Sequence, residues 1–442
     1  MVLSSVFTCI SACVLLIQSV AVIHAAPTKS SRSLKKTGHH LHGRFLHITD
    51  LHLDPYYREG ADPSHYCHRY GKKRSKAAGK FGALGTECDS PGPLVEATFN
   101  FLKKEIKNVD FILYTGDTVR HDRDDKLPRT DAQVLEGHRS IIKYFKKTYS
   151  HKMLFVPTIG NNDTYKHNKI KKRDHIFRKL KAIWRPLELD IRNEFLNGGY
   201  FTHDLIKNKL SVINLNTMYF FDKNNDVDDC DSPNSPGAIQ MRWLENQLEA
   251  LEKKKGKQQA YIMGHVPPID DNGSRIYKSA CYDQYFSLLG KHGSVIAGHF
   301  TGHTNDDNLY AVVPDGDGSY EFVAANDKSV RHRENDLERA NVPLFNAPSV
   351  IPVHNPAIRV YHYETQNNKR RPIGTITDWD QYYVDLDKAN EHGQAEYQLE
   401  YSASKLYNVD YFDGEDLGQA ILNIATNKRA RKIYNKYAKV ST

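Results

Sequence analysis

An α/β layered fold is predicted by two features of this sequence. From residue 45 onward short apolar runs alternate with amphipathic stretches, the pattern left when strands and covering helices follow one another along the chain. Many of those apolar runs end beside a glycine with Asp, His or Asn directly after it, as in open α/β sheets that gather polar groups at strand ends. The bulk composition agrees: 442 residues, 39% apolar and 26% charged, suit one large core or two ordinary domains and exclude a disordered segment.

Residues 1–26 are apolar and are followed by a basic linker over 27–43, which reads as a secretory signal or a signal anchor, with cleavage near Ala25 or Ala26 favoured. Residues 44–49 form a strand that delivers Asp50 and His52. Val95, Phe99, Leu102 and Ile106 fall at helical spacing, and residues 110–115 make a strand ending on Gly116-Asp117. The unit recurs with strands at 153–157 before Gly160, 210–216, and 259–263 before Gly264-His265; Trp243, Leu244, Leu248 and Leu251 mark a helix. Residues 294–297 lead towards His303, closing a core domain over 44–305. Residues 306–345 are polar and charged and are expected to be a surface insertion. Strands return at 358–363 and 382–386, and a basic helix over 417–437 completes the fold within 346–442.

The formal net charge of +8 suits an anionic partner, although net charge speaks for solubility and steering rather than chemistry. No nucleic-acid partner is expected. Beyond the apolar start four cysteines remain, and an even count in a chain entering the secretory route suggests two disulfides. Of the possible pairings, proximity in sequence favours Cys67 with Cys88 and Cys230 with Cys281; four buried thiols would instead suit a reducing compartment. Asn272-Gly273-Ser274 is a glycosylation sequon in a polar stretch. Asn162-Asp163-Thr164 matches the same pattern, but a glycan there would block the segments discussed next.

Asp50-Leu51-His52, Gly116-Asp117, Gly160-Asn161-Asn162-Asp163, Gly264-His265 and Gly302-His303-Thr304-Asn305 bring hard and borderline metal ligands to strand ends with no thiolate among them. That donor set is expected of two divalent cations acting on a phosphoryl group. Cation binding can lower the pKa of water from 15.7 to about 7, which at about 1.36 kcal/mol per unit is roughly 12 kcal/mol. General acid assistance contributes only about 10²–10⁴-fold. The cation pair therefore matters more than any single proton donor.

As a set, these segments resemble the calcineurin-like metallophosphoesterases of the acid-sphingomyelinase-like branch. The further wording at 116–122 with Arg129, at Asn216-Thr217-Met218-Tyr219-Phe220 and at 264–268 resembles a vacuolar group within that branch that cuts inorganic polyphosphate internally. The resemblance implies a metallophosphoesterase sandwich of two mixed β-sheets flanked by helices. It implies that Asp50 and His52, with Asn305, hold a first metal, that Asp117 bridges both, and that Asn161, His265 and His303 hold a second. Attack by a hydroxide between the cations is implied too.

The chain departs from the family pattern at Asn162, where a His is usual, and at Asn305, where a second His is usual. Without the usual acid, Asn162 suits phosphoanhydrides, whose leaving groups depart as stabilised anions. Asn305 makes the first site somewhat harder and leaves Zn, Mn, Co and Mg as candidates. His121 is a candidate proton donor or substrate contact. Arg120 and Arg129 foremost, with Lys166 and His167, are expected to line a groove for a polyanion. A nucleotide or sphingomyelin phosphodiesterase and a catalytically silent polyanion-binding protein are the alternatives. Delivery to a vacuole or lysosome, anchored or free, is expected from the resemblance and the apolar start, with secretion as the alternative.

Overall fold

Fifteen strands form among the described residues: β1 (Arg44–Ile48), β2 (Leu53–Asp54), β3 (Ser90–Pro91), β4 (Phe111–Tyr114), β5 (Leu154–Pro157), β6 (Phe201–Ile206), β7 (Leu210–Asn214), β8 (Gln259–Met263), β9 (Ile296–Thr301), β10 (Asn308–Pro314), β11 (Tyr320–Ala324), β12 (Val342–Asn346), β13 (Ala357–Tyr363), β14 (Ile376–Val384) and β15 (Tyr397–Ser402). The computed structural model describes residues 41–71, 77–150, 152–270, 272–315, 318–368 and 371–441. The apolar segment at 1–26 and nearly all of the basic linker lie outside them. No helix of the described residues is long and apolar enough to cross a membrane.

A six-stranded sheet runs β15-β14-β13-β1-β4-β5, a seven-stranded sheet runs β11-β10-β12-β9-β8-β7-β6, and β2 pairs with β3. Both large sheets are mixed. β1, β4 and β5 are parallel, and β4 is buried along its whole length because a parallel sheet is covered on both faces. β14, antiparallel and next to the edge strand, instead alternates buried and half-buried residues.

The facing surfaces of the sheets meet through aromatic rings. Phe45 on β1 stacks on Phe111 and Tyr361 of its own sheet, with centroids at 4.9 and 5.0 Å. It also meets Tyr261 and Phe300 of the other sheet at 5.5 and 5.3 Å. Helices Gly92–Glu105 and Asp131–Thr148 adjoin the six-stranded sheet, where Phe145 contacts Phe99 at 4.9 Å and Phe155 at 4.0 Å. A capping box of Thr130 and Gln133 starts the second of these helices. Helices Pro236–Glu252 and Ser279–Lys291 adjoin the other sheet. Both disulfides expected from sequence form, with Cα atoms 5.6 Å apart for Cys67–Cys88 and 4.7 Å apart for Cys230–Cys281.

The structure departs from the sequence reading in three places. Residues 306–345 are not a surface insertion: they carry β10, β11 and nearly all of β12, with Leu309, Tyr310, Val312 and Leu344 buried. The polar residues that suggested an insertion lie mainly in the connections between these strands. β9 begins at Ile296 and continues through His299, whose imidazole is buried, held near pKa 3 by that burial, and 3.2 Å from the Tyr285 hydroxyl. A neutral histidine can occupy a core strand that its letter would argue against. The basic C-terminal helix is two helices, Gly414–Thr426 and Lys428–Ala438, separated at Asn427, whose side chain accepts from the amides of Arg429 and Ala430.

Residues 306–345 also supply half of a fully buried ion pair. Arg359 on β13 meets Asp307, just before β10, and donates to Gln381 Oε1 at 2.8 Å. Tyr401 donates to the same Asp307 carboxylate. The pair ties one sheet to the other, and removing one partner leaves the other charge buried and alone. Asp307→Ala is expected to cost about 3–5 kcal/mol of stability, measured by chemical unfolding, and Asp307→Ala with Arg359→Met to cost less than the single change.

Candidate metal centre

The site forms where strands of both sheets end. Asp50 and His52 follow β1, Asp117 follows β4, Asn161 follows β5, His265 follows β8, and His303 and Asn305 follow β9. Five of these seven residues have positive φ: Asp50 (51°), His52 (38°), Asp117 (54°), His303 (73°) and Asn305 (64°). Such backbone costs of order 1–3 kcal/mol per residue and persists only where the surroundings fix it.

Hydrogen bonds between the turns do the fixing. The Asp50 amide donates to Gly116 O (2.9 Å), the His52 amide to Asp117 O (3.0 Å), and the His303 amide to Asp50 Oδ2 (3.0 Å). Asp163 accepts from the amides of Asp117, Thr118 and Gly160 at 2.8–2.9 Å. Glycine is required at two approaches. A Cβ at Gly160 would lie 2.1 Å from Asp117 Oδ1, and one at Gly302 would lie 2.6 Å from Asp50 Oδ2.

Asp117 lies at the centre. Its Oδ2 is 3.3 Å from His52 Nε2 and 3.3 Å from His265 Nε2. His265 Nε2 and His303 Nδ1 each lie 2.8 Å from Asn161 Oδ1. Asp50, His52 and Asp117 form one group able to hold an ion, and Asp117, His265 and His303 form a second that shares the aspartate. The far ring nitrogens of His52 and His265 face backbone carbonyls, Val119 O at 3.1 Å and Thr115 O at 2.8 Å. Those contacts orient both rings with Nε2 inward. Asp50 Oδ1, Asn162 Oδ1 and Asn305 Oδ1 are buried without a hydrogen-bond partner, oxygens that a hard cation would satisfy. The residues present therefore fit divalent cations.

Without cations, protons balance the carboxylates. Burial alone would lower the His52 and His265 imidazoles, but Asp117 and Asp50 outweigh it and hold them at about 10 and about 9. Burial would raise Asp117 too, yet His265 and His52 keep it well below the ordinary carboxylate range. His303, with its burial reinforced by His265, falls to about 3.

Other residues singled out from sequence take different places. Asn162 is fully buried and donates its backbone and side-chain NH groups to the two oxygens of Asp117, both at 2.8 Å. It grips that carboxylate. Arg120 and Arg129, expected on a substrate groove, are buried because their guanidinium groups hold the surrounding loops. Arg120 donates to His121 O and Leu127 O, and Arg129 to Arg120 O, Asn162 O and Thr164 O.

Lys166 and His167 are exposed, and the Asn161 amide lies 3.0 Å from His167 Nε2. His121 stacks on His52 with centroids 4.2 Å apart and donates its Nδ1–H to Asp89 at 2.6 Å. Burial, opposed by Asp89, holds this imidazole below its ordinary value. Asn272 is exposed in a turn. Sequence reasoning missed Asp89, which no local motif marks. It also left Asp163 without a role, although its place in the glycine-asparagine turn could have suggested a carboxylate capping nearby amides.

Two outcomes are expected. In the metal-free protein the raised His52 and His265 contribute stability that is complete below their unfolded value of 6.5 and lost as the pH climbs through about 9 to 10. Thermal unfolding across that window reads the loss, and bound cations remove it because they displace the same protons. Asn162→Ala is expected to weaken cation affinity about 10–100-fold by releasing Asp117, measured by calorimetric titration of metal into the stripped protein.

Comparison with known proteins agrees with this geometry. The family model for calcineurin-like phosphoesterase matches residues 43–306, and that for the acid sphingomyelin phosphodiesterase C-terminal region matches residues 340–441. The chain is 31% identical over 407 residues to an endopolyphosphatase of Cryptococcus neoformans, covering 74% of this chain and 59% of that one. It is 36% identical over 299 residues to one of Neurospora crassa (65% and 40%). It is 31% identical over 407 residues to one of Schizosaccharomyces pombe (82% and 68%). The chain thus spans between 40% and 68% of the length of these curated relatives. With the family model covering most of the chain and the turns that carry the candidate ligands brought together, the protein belongs to the calcineurin-like phosphoesterases.

Proposed function

We propose that this protein is an endopolyphosphatase, a hydrolase that cuts internal phosphoanhydride bonds of inorganic polyphosphate at a dinuclear centre. The observation that carries this reading is Asp117, shared between two oxygen- and nitrogen-donor groups. Asp50, His52 and Asn305 would hold one cation, Asn161, His265 and His303 the other, and Asp117 both. Bound there, divalent cations supply neutralisation of phosphoryl charge and activation of water. The protein's own residues set the geometry: Asn162 and Asp163 fix Asp117 and its turn, Asp89 orients His121 beside His52, and the backbone contacts of His52 and His265 aim Nε2 inward.

Substrate choice follows from what lies beside the centre. An alcohol leaving group needs a proton, and Asn162, with its amide on Asp117, has none to give. A polyphosphate segment leaves as a stabilised anion and has no such need. The endopolyphosphatase relatives support the same choice. Exposed Arg123, Lys126 and Lys166 follow the site's turns in sequence and offer positive charge to a polyanion. Two disulfides fit an oxidising compartment, which supports a vacuolar or lysosomal lumen or secretion, and a glycan on exposed Asn272 fits the same route.

The experiment is hydrolysis of long-chain polyphosphate by protein stripped of metal and resupplied separately with Mg²⁺, Mn²⁺, Co²⁺ or Zn²⁺, with products sized on a gel. Intermediate-length fragments appearing early, only with added cation, are the expected result. Faster turnover of a sphingomyelin or nucleotide substrate, or cation binding with no turnover of any of them, would refute the assignment.

A further inference from the structure

A second basic region lies away from the metal centre. Helices Gly92–Glu105, Asp131–Thr148 and His175–Trp184 and the short turn after the last enclose a groove of about 1180 Å³. Lys103, Arg139, Lys143, Lys146, Lys147 and Lys179 line it, against a single acidic residue, Glu96. Arg139 shares its charge with Glu136 at 3.2 Å. Among the described residues the five lysines have no carboxylate partner within ion-pair distance, and all five are exposed. Complementing the helix dipole accounts for lysines in a last turn, such as Lys103, Lys146 and Lys147. It does not account for Lys143, Arg139 and Lys179, which converge on the same groove from two helices.

Topology places the groove on the far side of the sheet edge from the metal centre. Asp117 and Asn161 stand after the C-terminal ends of β4 and β5, whereas helices Gly92–Glu105 and Asp131–Thr148 lead into the N-terminal ends of those strands. The basic residues of these two helices lie from the middle of Asp131–Thr148, at Arg139, to the C-terminal ends. From Asp131 at the site end, Lys147 is about 24 Å along the helix axis at 1.5 Å per residue. A polyanion that engages the centre and the far end of the groove together must be a long one.

We propose that this groove is an exosite that binds a distal stretch of an inorganic polyphosphate chain while another stretch lies at the metal centre; this deepens the endopolyphosphatase reading and rests on it. Charge complementarity selects a polyanion. Concavity favours a chain over an anionic membrane, because the large exposed apolar residues a bilayer would take up, Tyr56, Tyr70 and Leu399, lie outside the groove. Holding the chain at two points raises the local concentration of internal bonds at the centre and keeps a long chain bound after a cut.

The test compares the parent protein with Lys143→Gln/Lys147→Gln/Lys179→Gln and with a control of equal charge change, Lys253→Gln/Lys255→Gln/Lys257→Gln, all exposed positions. Binding of long-chain polyphosphate to metal-free protein is read by fluorescence anisotropy, and turnover of tripolyphosphate by the metal-loaded protein is read in parallel. The groove variant is expected to bind the long chain roughly tenfold or more weakly, the low end of what a cleft of one charge sign adds to the local concentration of an oppositely charged ligand, with tripolyphosphate turnover and the control variant unchanged. Equal weakening in the control, no weakening in the groove variant, or groove-dependent binding to phosphatidylserine vesicles in place of polyphosphate would overturn the proposal. Because binding is read without turnover, these outcomes stand even if polyphosphate proves not to be cleaved.

Discussion

The burial of the Asp117 carboxylate is the constraint on which the rest of the structure depends. An ionised carboxylate taken out of water is destabilising unless hydrogen bonds and opposite charge surround it. Here Asn162 holds both oxygens, two imidazoles face Oδ2, and Asp163 holds the backbone of the same turn. The partners come from both sheets: Asn162 follows β5 in the six-stranded sheet, and His265 follows β8 in the seven-stranded one. The aromatic rings between the sheets and the Arg359–Asp307 pair therefore serve the site as well as the core. If one sheet shifts against the other, the two halves of the ligand set separate.

The same crowding of charge explains why the centre fits cations. Protons on His52 and His265 stand in for positive charge when none other is bound, while His303 stays neutral. Three buried oxygens, on Asp50, Asn162 and Asn305, remain without a hydrogen-bond partner. A proton can balance charge, but it cannot satisfy several oxygens at once; a divalent cation does both. The left-handed backbone at five candidate ligand positions points the same way, since strain of that kind clusters at functional sites.

Much of this was legible in the sequence, for physical reasons. The strands before Asp50, Asp117, Asn161 and His265 are short apolar runs that stop at a charged or polar turn, a sharp local contrast. The disulfides followed from proximity along the chain. What was not legible depends on long-range contact. His299 sits in a core strand because Tyr285 meets it from a helix, and β10 and β11 were hidden because the polar connections around them dominate the composition. Asp89 acquires its role only when the fold brings it to His121, 32 positions away.

The arginines are the most instructive case. Placed just after ligand turns, Arg120 and Arg129 read naturally as phosphate contacts, since a guanidinium suits a phosphoryl oxygen. The same five donors suit backbone carbonyls, and Arg129 reaches three of them, one in the connection after β4 and two in the turn after β5. Both guanidinium groups are committed to these carbonyls. Positive charge that the loops do not use is carried by exposed lysines, Lys126 and Lys166 in the connections after β4 and β5 and Lys143, Lys147 and Lys179 along the helices. Buried arginines thus hold the loops around the centre, and exposed lysines carry the surface charge.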